Sequence, residues 1–267
     1  MSTDTEMSTG AETGTGTYAP APGAAPLSRM IAAQTAFETK MLLRNGEQLL
    51  LTVIIPSLLL VLFSTVEIID TGAGDSVDFL APGVLALAVM STAFTGQAIA
   101  TGFERRYGVL KRLGASPLPR WALMTAKTLS VLVTEVLQIL LLTVIAFALG
   151  WSPEGNPLTV LLLLVLGTAA FSGLGLLMAG TLRAEATLAA ANLVFVLLMV
   201  GGGVIVPMDK FPEAAQTLLG LLPISALSEG LRDVLQHGAG MPWDDLGVLA
   251  AWAVLGLGTA ARFFRWE

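Results

Sequence analysis

The sequence predicts an all-α membrane protein with six transmembrane helices, and three observations carry that prediction. Six apolar stretches, at 49–66, 79–101, 121–149, 157–182, 186–207 and 246–264, are long enough to cross a bilayer. At ~1.5 Å rise per residue, about 20 residues span a hydrocarbon core ~30 Å thick. The 267 residues are 54% hydrophobic and only 13% charged, where a soluble domain carries about 25% charged residues. Lys and Arg collect on alternate connections between the stretches. Lipid offers no partner to a backbone amide, so each apolar run must pair its own amides as a helix.

Residues 1–26 are rich in Thr, Gly, Ala, Pro and Ser and lack the basic and apolar regions of a signal peptide. They read as a disordered cytoplasmic tail. Residues 27–265 read as one transmembrane domain. Across Leu27–Gln48, the apolar Leu27, Met30, Ile31, Phe37, Met41 and Leu42 fall within an arc of about 140° on a helical wheel. Arg29, Lys40, Arg44 and Glu47 lie opposite. The expectation is an N-terminal amphipathic helix lying in the membrane interface. Gln34 and Glu38 interrupt the apolar arc, which a face packed partly on protein tolerates better than one packed on lipid. A solvated helix leading into span one is the alternative.

The first stretch carries Pro56 within it. Arg105, Arg106, Lys111, Arg112, Arg120 and Lys127 lie between or near the ends of spans two and three. Arg183 lies between four and five, and Arg262 and Arg265 close the chain. Cytoplasmic loops hold the Lys/Arg excess, so both termini are expected inside. The opposite loops are acidic, with Glu67, Asp70, Asp75, Asp78, Glu154, Asp209, Glu213, Glu229, Asp233, Asp244 and Asp245. The net charge of −6 belongs to that outer face and says little about partners; no nucleic-acid partner is expected. There is no Cys and one His, His237, so Cys-ligated metal, a His cluster and thiolate catalysis are all excluded.

Two connections are informative. Phe103–Trp121 mixes charge with apolar Val109, Leu110 and Leu113, and Gly114, Pro117 and Pro119 terminate it. This describes either a short charged helix held at the membrane surface, a handle for a cytoplasmic partner, or a basic stop that fixes topology. Met208–Asp245 is half polar and punctuated by Pro212, Pro223 and Pro242. Leu218–Leu222 and Ile224–Leu227 are too short to span. A re-entrant or surface-lying helical pair is expected on the outer side, a folded loop being the alternative.

The pattern Glu104…Gly108-Val109-Leu110…Leu113…Ser116-Pro117-Leu118…Lys127 resembles the cytoplasmic loop of ABC-2-type transporter permeases. Pro207…Phe211-Pro212…Leu222-Pro223-Ile224…Leu231-Arg232 is similar to that family's outer segment before the last span. Val109 and Lys111 depart from it, since many members carry Thr and an acidic residue there. These permeases are the membrane-spanning subunits of bacterial ABC exporters, drug-resistance and multidrug efflux permeases among them. The resemblance implies six helices, a homodimer or heterodimer, and a separate ABC ATP-binding subunit docked on the cytoplasmic face. It implies coupling to that subunit through Glu104, Arg105, Gly108, Leu110, Leu113 and Pro117, with Glu104 expected to begin the coupling helix. ATP and Mg2+ would then be bound by the partner, with no cofactor in this chain. The sequence agrees, because it holds no G-x-x-x-x-G-K-[ST] loop and no H-E-x-x-H or G-x-S-x-G pattern. No catalytic residue is expected.

Polar groups inside the spans are the remaining candidates. Glu135, with Gln138 nearby, must face protein or water, as an interhelical contact or as a relay or substrate contact. Thr92, Phe94 and Thr95 in span two, and Asn192, Phe195 and Met199 on one face of span five, are candidate pathway linings. Small residues at Ala169/Gly173 and Gly256/Ala260 suit close helix contacts. Gly201-Gly202-Gly203 suits a gate or close packing. The reading is a permease subunit of an ATP-driven exporter in a bacterial plasma membrane, moving an amphipathic or lipid-like substrate or a drug. The alternative is an ion-coupled secondary transporter.

Overall fold

The computed structural model describes residues 23, 25–46, 50–65, 76–204 and 211–264, and every regular element among them is helical. The predicted tail up to residue 22, positions 49, 66 and 205–207 of the predicted spans, and Glu67, Asp70, Asp75 and Asp209 lie outside these residues. Helix α1 is Leu27–Arg44. A π-helical stretch, Leu50–Ile54, leads into α2, Ile55–Thr65. Then come α3 (Ser76–Val89), a second π-helical stretch (Met90–Gly96) and α4 (Gln97–Arg106). The short α5 is Val109–Gly114 and the long α6 is Arg120–Ala148. Helices α7 (Pro157–Thr181) and α8 (Ala184–Gly201) follow. The chain continues through α9 (Glu213–Gly220), α10 (Pro223–Leu235) and α11 (Trp243–Phe263).

Among the described residues, five continuous helices are long and apolar enough to cross a membrane: Val77–Arg106, Arg120–Ala148, Pro157–Thr181, Ala184–Gly201 and Trp243–Phe263. Where the first of the six crossings was predicted, over 49–66, the described residues hold only a shorter apolar helix, Thr52–Leu62. Span two outruns its predicted end at residue 101. Its last turn is polar, and that turn is paired with other helices rather than with lipid.

Val77–Arg106 is the hub of the bundle. Leu80, Val84, Leu87, Met90, Phe94 and Ala98 are all buried, and α2, α6, α7, α8 and α10 pack around it. The outer helices turn Leu140 and Val144, Leu158 and Leu161, Leu193 and Leu197, and Val254 and Leu255 outward. So much outward apolar surface suits lipid or a second membrane chain. The tightest pairing is α7 on α11. A Cβ on Gly173 would lie 2.9 Å from the Gly256 Cα, so only small residues let these backbones meet.

Local chemistry sets the ends. Asn156 caps α7, its side chain accepting from the Leu158 amide at 2.9 Å, with Pro157 in the first turn. Helix α8 stops at Gly201, and Gly203 has φ +66°. Ile224 lies where a Gly202 side chain would project. The glycine run therefore ends α8 against α10. Helix α10 is buried on most sides against α3, α7 and α11, and α1 lies along α6.

Candidate functional site

The end of the bundle carrying α5 holds most of the sequence-predicted coupling residues. Gly108 has φ +71°, a left-handed conformation that favours glycine. It breaks α4 from α5 and re-aims the chain. Leu110 is fully buried in a small apolar cluster with Leu118, Leu123 and Met124, Leu176, Ala260 and Phe264. Leu27, Met30, Ile31 and Leu113 pack on the same cluster. Helices α1 and α5 are thus plugged into one apolar seat on α6, α7 and α11. The face of α5 left outside carries Val109, Lys111 and Arg112, and Pro117 is exposed just beyond it.

Glu104 is not at the start of this helix, as the sequence reading had it. It sits in the last turn of α4, because the break falls later, at Gly108. Its carboxylate receives the Lys127 ammonium at 2.6 Å, and the same ammonium reaches Glu38 at 3.0 Å. Glu38 also accepts from the Gln34 amide at 2.8 Å. The two residues that interrupted the apolar arc of α1 therefore bond each other, and Glu38 faces protein. The triad joins α1, α4 and α6. Arg105 and Arg106 hold the turn before α8, Arg105 donating to the Leu182 carbonyl and Arg106 pairing with Glu185.

A cavity of about 730 Å3 opens beside the triad. Glu38, Glu104 and Lys127 share its wall with Gln97, Phe103 and Val131. A second groove, about 420 Å3, lies between the two π-helical stretches, α4 and α8. Thr52, Ser91, Thr95 and Asn192 line it, and the Thr95 hydroxyl is buried with no hydrogen-bond partner.

Of the six predicted lining residues, Thr95 and Asn192 meet at this groove. Thr92 turns away and donates to the Gln138 side-chain oxygen at 2.9 Å. The Gln138 amide donates in turn to the Thr52 carbonyl. Phe94 is buried in the core, and Phe195 and Met199 pack against it. Residues three apart share a face in an α-helix. The π-helical stretch bonds i to i+5, so its wider turn separates Thr92 from Thr95. Gln138 thereby pins both π-helical stretches to α6.

The ABC-2 type transporter family model matches residues 31–235, more than half of the chain. The chain belongs to the ABC-2 type transporter family. As an ABC-2 permease it is a transport subunit and a multi-pass membrane protein, of a family that works with an ATP-binding subunit. It is 30% identical over 168 residues to the linearmycin resistance permease protein LnrN of Bacillus subtilis strain 168. That match covers 60% of the permease and 43% of LnrN, less than half the relative's length. YvfS of the same strain, whose name describes a transport permease, is 24% identical over 235 residues, covering 83% of the permease and 91% of YvfS.

Inside the permease, Glu135 is an interhelical contact between α6 and α7. It is buried and accepts from the Thr168 hydroxyl at 2.5 Å. Its other oxygen has no hydrogen-bond partner among the described residues. At the opposite end of the hub helix, Arg232 is also buried. It donates to the Val204 carbonyl at 2.7 Å and to the Phe79 carbonyl at 3.4 Å. Its guanidinium lies 4.0 Å from the Phe79 ring centroid. Burial lowers its pKa to about 10, with Glu229 opposing that shift, so the cation persists at neutral pH.

Lys127, Glu38 and Arg232 were not among the predicted site residues. Lys127 is a charge inside an apolar stretch and Glu38 a charge within an apolar arc, while Arg232 stands in the Leu231-Arg232 pair of the outer segment that resembles the family's. What sequence lacks is the pairing, since residues 38, 104 and 127 meet only through tertiary packing.

Proposed function

We propose that this permease is the membrane half of an ATP-driven exporter in a bacterial plasma membrane, working as a homodimer or heterodimer. Both termini and α5 face the cytoplasm, in line with the Lys/Arg excess on that side. A separate ATP-binding subunit, holding ATP and Mg2+, docks against α5 and the adjoining face of α1. The substrate is amphipathic or lipid-like, and the groove lined by Thr95 and Asn192 is part of its path. An apolar groove with few polar groups suits such a molecule.

One observation carries the coupling role. Helix α5 presents basic residues outward, while Leu110 is sunk into the seat it shares with α1, α6, α7 and α11. A push on that outer face therefore reaches the membrane helices through packed side chains. The six residues expected to couple divide by this geometry. Pro117 belongs to the docking face, Glu104 and Arg105 tie α4 to its neighbours, Gly108 sets the angle, and Leu110 and Leu113 anchor. In the secondary-transporter reading Glu135 would be the working group. Its Thr168 contact and central burial fit a packing role instead.

The test is purification of tagged permease from its native membrane together with topology labelling. An ATP-binding chain should copurify, and its ATP hydrolysis should depend on the permease. Cysteine placed at Ser116 should resist an impermeant thiol reagent in intact cells, whereas cysteine at His237 should react. Labelling at Ser116 alone would reverse the topology and remove α5 from the cytoplasm.

A further inference from the structure

We infer that the cavity beside the Glu38–Lys127–Glu104 triad is a binding site for a lipophilic organic cation. The cavity is bordered by the charged triad, by apolar and aromatic side chains, and by polar side chains that include Gln97 and Thr101. Two carboxylates share one ammonium there, at 3.0 and 2.6 Å. Lys127 is spent on both of them, so this wall holds one more carboxylate than ammonium groups. Arg44 also borders the cavity, but at an exposed position, where water screens its charge.

The remaining walls fit the body of such a ligand. Met41, Leu42, Val109 and Val131 are apolar. Phe103 and Tyr107 stack with ring centroids 6.1 Å apart and planes 26° from parallel, and both border the cavity. Aromatic ring faces are electron-rich and attract cations, more strongly where water is excluded. The volume of about 730 Å3 lies in the range of small-molecule sites.

A further sign of an occupant is unmet hydrogen bonding. Gln97 is 4% exposed and borders the cavity. Neither its amide nitrogen nor its oxygen has a partner among the described residues. The Thr101 hydroxyl, on the same wall, also has none. Buried polar groups are normally satisfied, and such exceptions call for an explanation. A cationic ligand that also carries polar groups to meet Gln97 and Thr101 would supply one, while the charge and the volume are what a purely apolar cation probes. The cavity and the Thr95/Asn192 groove share Asn45, Ala100 and Phe103 as bordering residues, so a bound cation would sit one wall from the proposed path. Its role as cargo rests on the exporter reading; its binding does not.

The experiment is equilibrium dialysis of the full-length permease alone in neutral-lipid nanodiscs, with empty nanodiscs subtracted. The probes are tetraphenylphosphonium and tetraphenylborate, which share a shape and differ in the sign of charge. The phosphonium should bind saturably, and the borate at least roughly tenfold more weakly. Glu104→Gln keeps the Lys127–Glu38 pair but removes the surplus charge, and should weaken phosphonium binding by roughly tenfold or more. Tyr107→Leu, at a position 68% exposed where folding is not at stake, should weaken it about threefold. Equal binding of the two probes, absence of saturable binding, or indifference to both variants overturns the site. Saturable phosphonium binding in a permease that has no ATP-hydrolysing partner would leave the site standing and sink the exporter reading. The converse result would remove the site alone.

Discussion

Lys127 and Arg232 are both buried cations, one near each end of the Val77–Arg106 helix, and their surroundings differ in kind. Arg232 is held by neutral dipoles and a ring, namely the Val204 and Phe79 carbonyls and the Phe79 face. The packing there is dense, because a Cβ on Gly83 would lie 2.7 Å from the Val204 carbonyl oxygen and 3.0 Å from the Arg232 Nη2. Lys127 is held by two carboxylates from two other helices, with a cavity alongside. The first arrangement is a brace between α10, α3 and the end of α8. The second is a junction with surplus charge and free volume, at the end where α5 is anchored. The contrast separates a densely packed end from one with a cavity, which under the proposed coupling is where a ligand or a partner acts.

The largest expected effect is at Lys127. Lys127→Met leaves Glu38 and Glu104 facing each other without a cation, at a cost of about 3–5 kcal/mol. Thermal unfolding of the purified permease should show a large fall in Tm. Adding Glu104→Gln to the Met variant should restore part of the loss. An unchanged Tm would mean that the triad does not form.

Arg232→Met comes next. It keeps the apolar bulk but removes charged donors from two carbonyls, at a cost of about 1.5–3 kcal/mol. No carboxylate neutralisation should rescue it. If Glu229→Gln restored the Arg232→Met variant as Glu104→Gln restores the Lys127 one, the distinction between the two ends would collapse.

Gln138→Leu is the mildest, at about 1 kcal/mol. It removes the bonds from α6 to the Thr92 hydroxyl and the Thr52 carbonyl. Amide exchange should quicken within Met90–Gly96 while α10 stays protected. Uniform quickening across the bundle would show Gln138 to be general glue and not a local pin.

The long apolar runs made the helical membrane fold and five of its helices legible, because lipid leaves the backbone one solution. The boundaries were less legible. Span two runs on to Arg106 since Glu104, Arg105 and Arg106 find partners at Lys127, Leu182 and Glu185. A window of hydropathy cannot see those partners. Glu104 was assigned to the start of the short helix for the same reason, as its position depends on Gly108 taking the left-handed turn. Helix α5 and its apolar anchors were readable, but which of them point inward was not: Leu110 and Leu113 are seated, while Val109 lies on the exposed face. The groove was half readable. Helical spacing put Asn192, Phe195 and Met199 on one face, but only Asn192 borders the groove while the other two pack on the core, and of the span-two candidates Thr95 alone borders it.

The central claim is that α5 receives the ATP-binding subunit while its anchors hold it to the bundle. Charge reversal on the outer face, Lys111→Glu with Arg112→Glu, tests it most directly, because both side chains are exposed and the apolar seat is left intact. The measurement is copurification of the ATP-binding chain from native membranes, together with permease-dependent ATP hydrolysis. The account predicts that both are lost while the permease remains folded and inserted, with its Tm within about 1 kcal/mol equivalent of the unmodified chain, as for surface substitutions. Retention of the partner and of the stimulated hydrolysis in that double variant would contradict it.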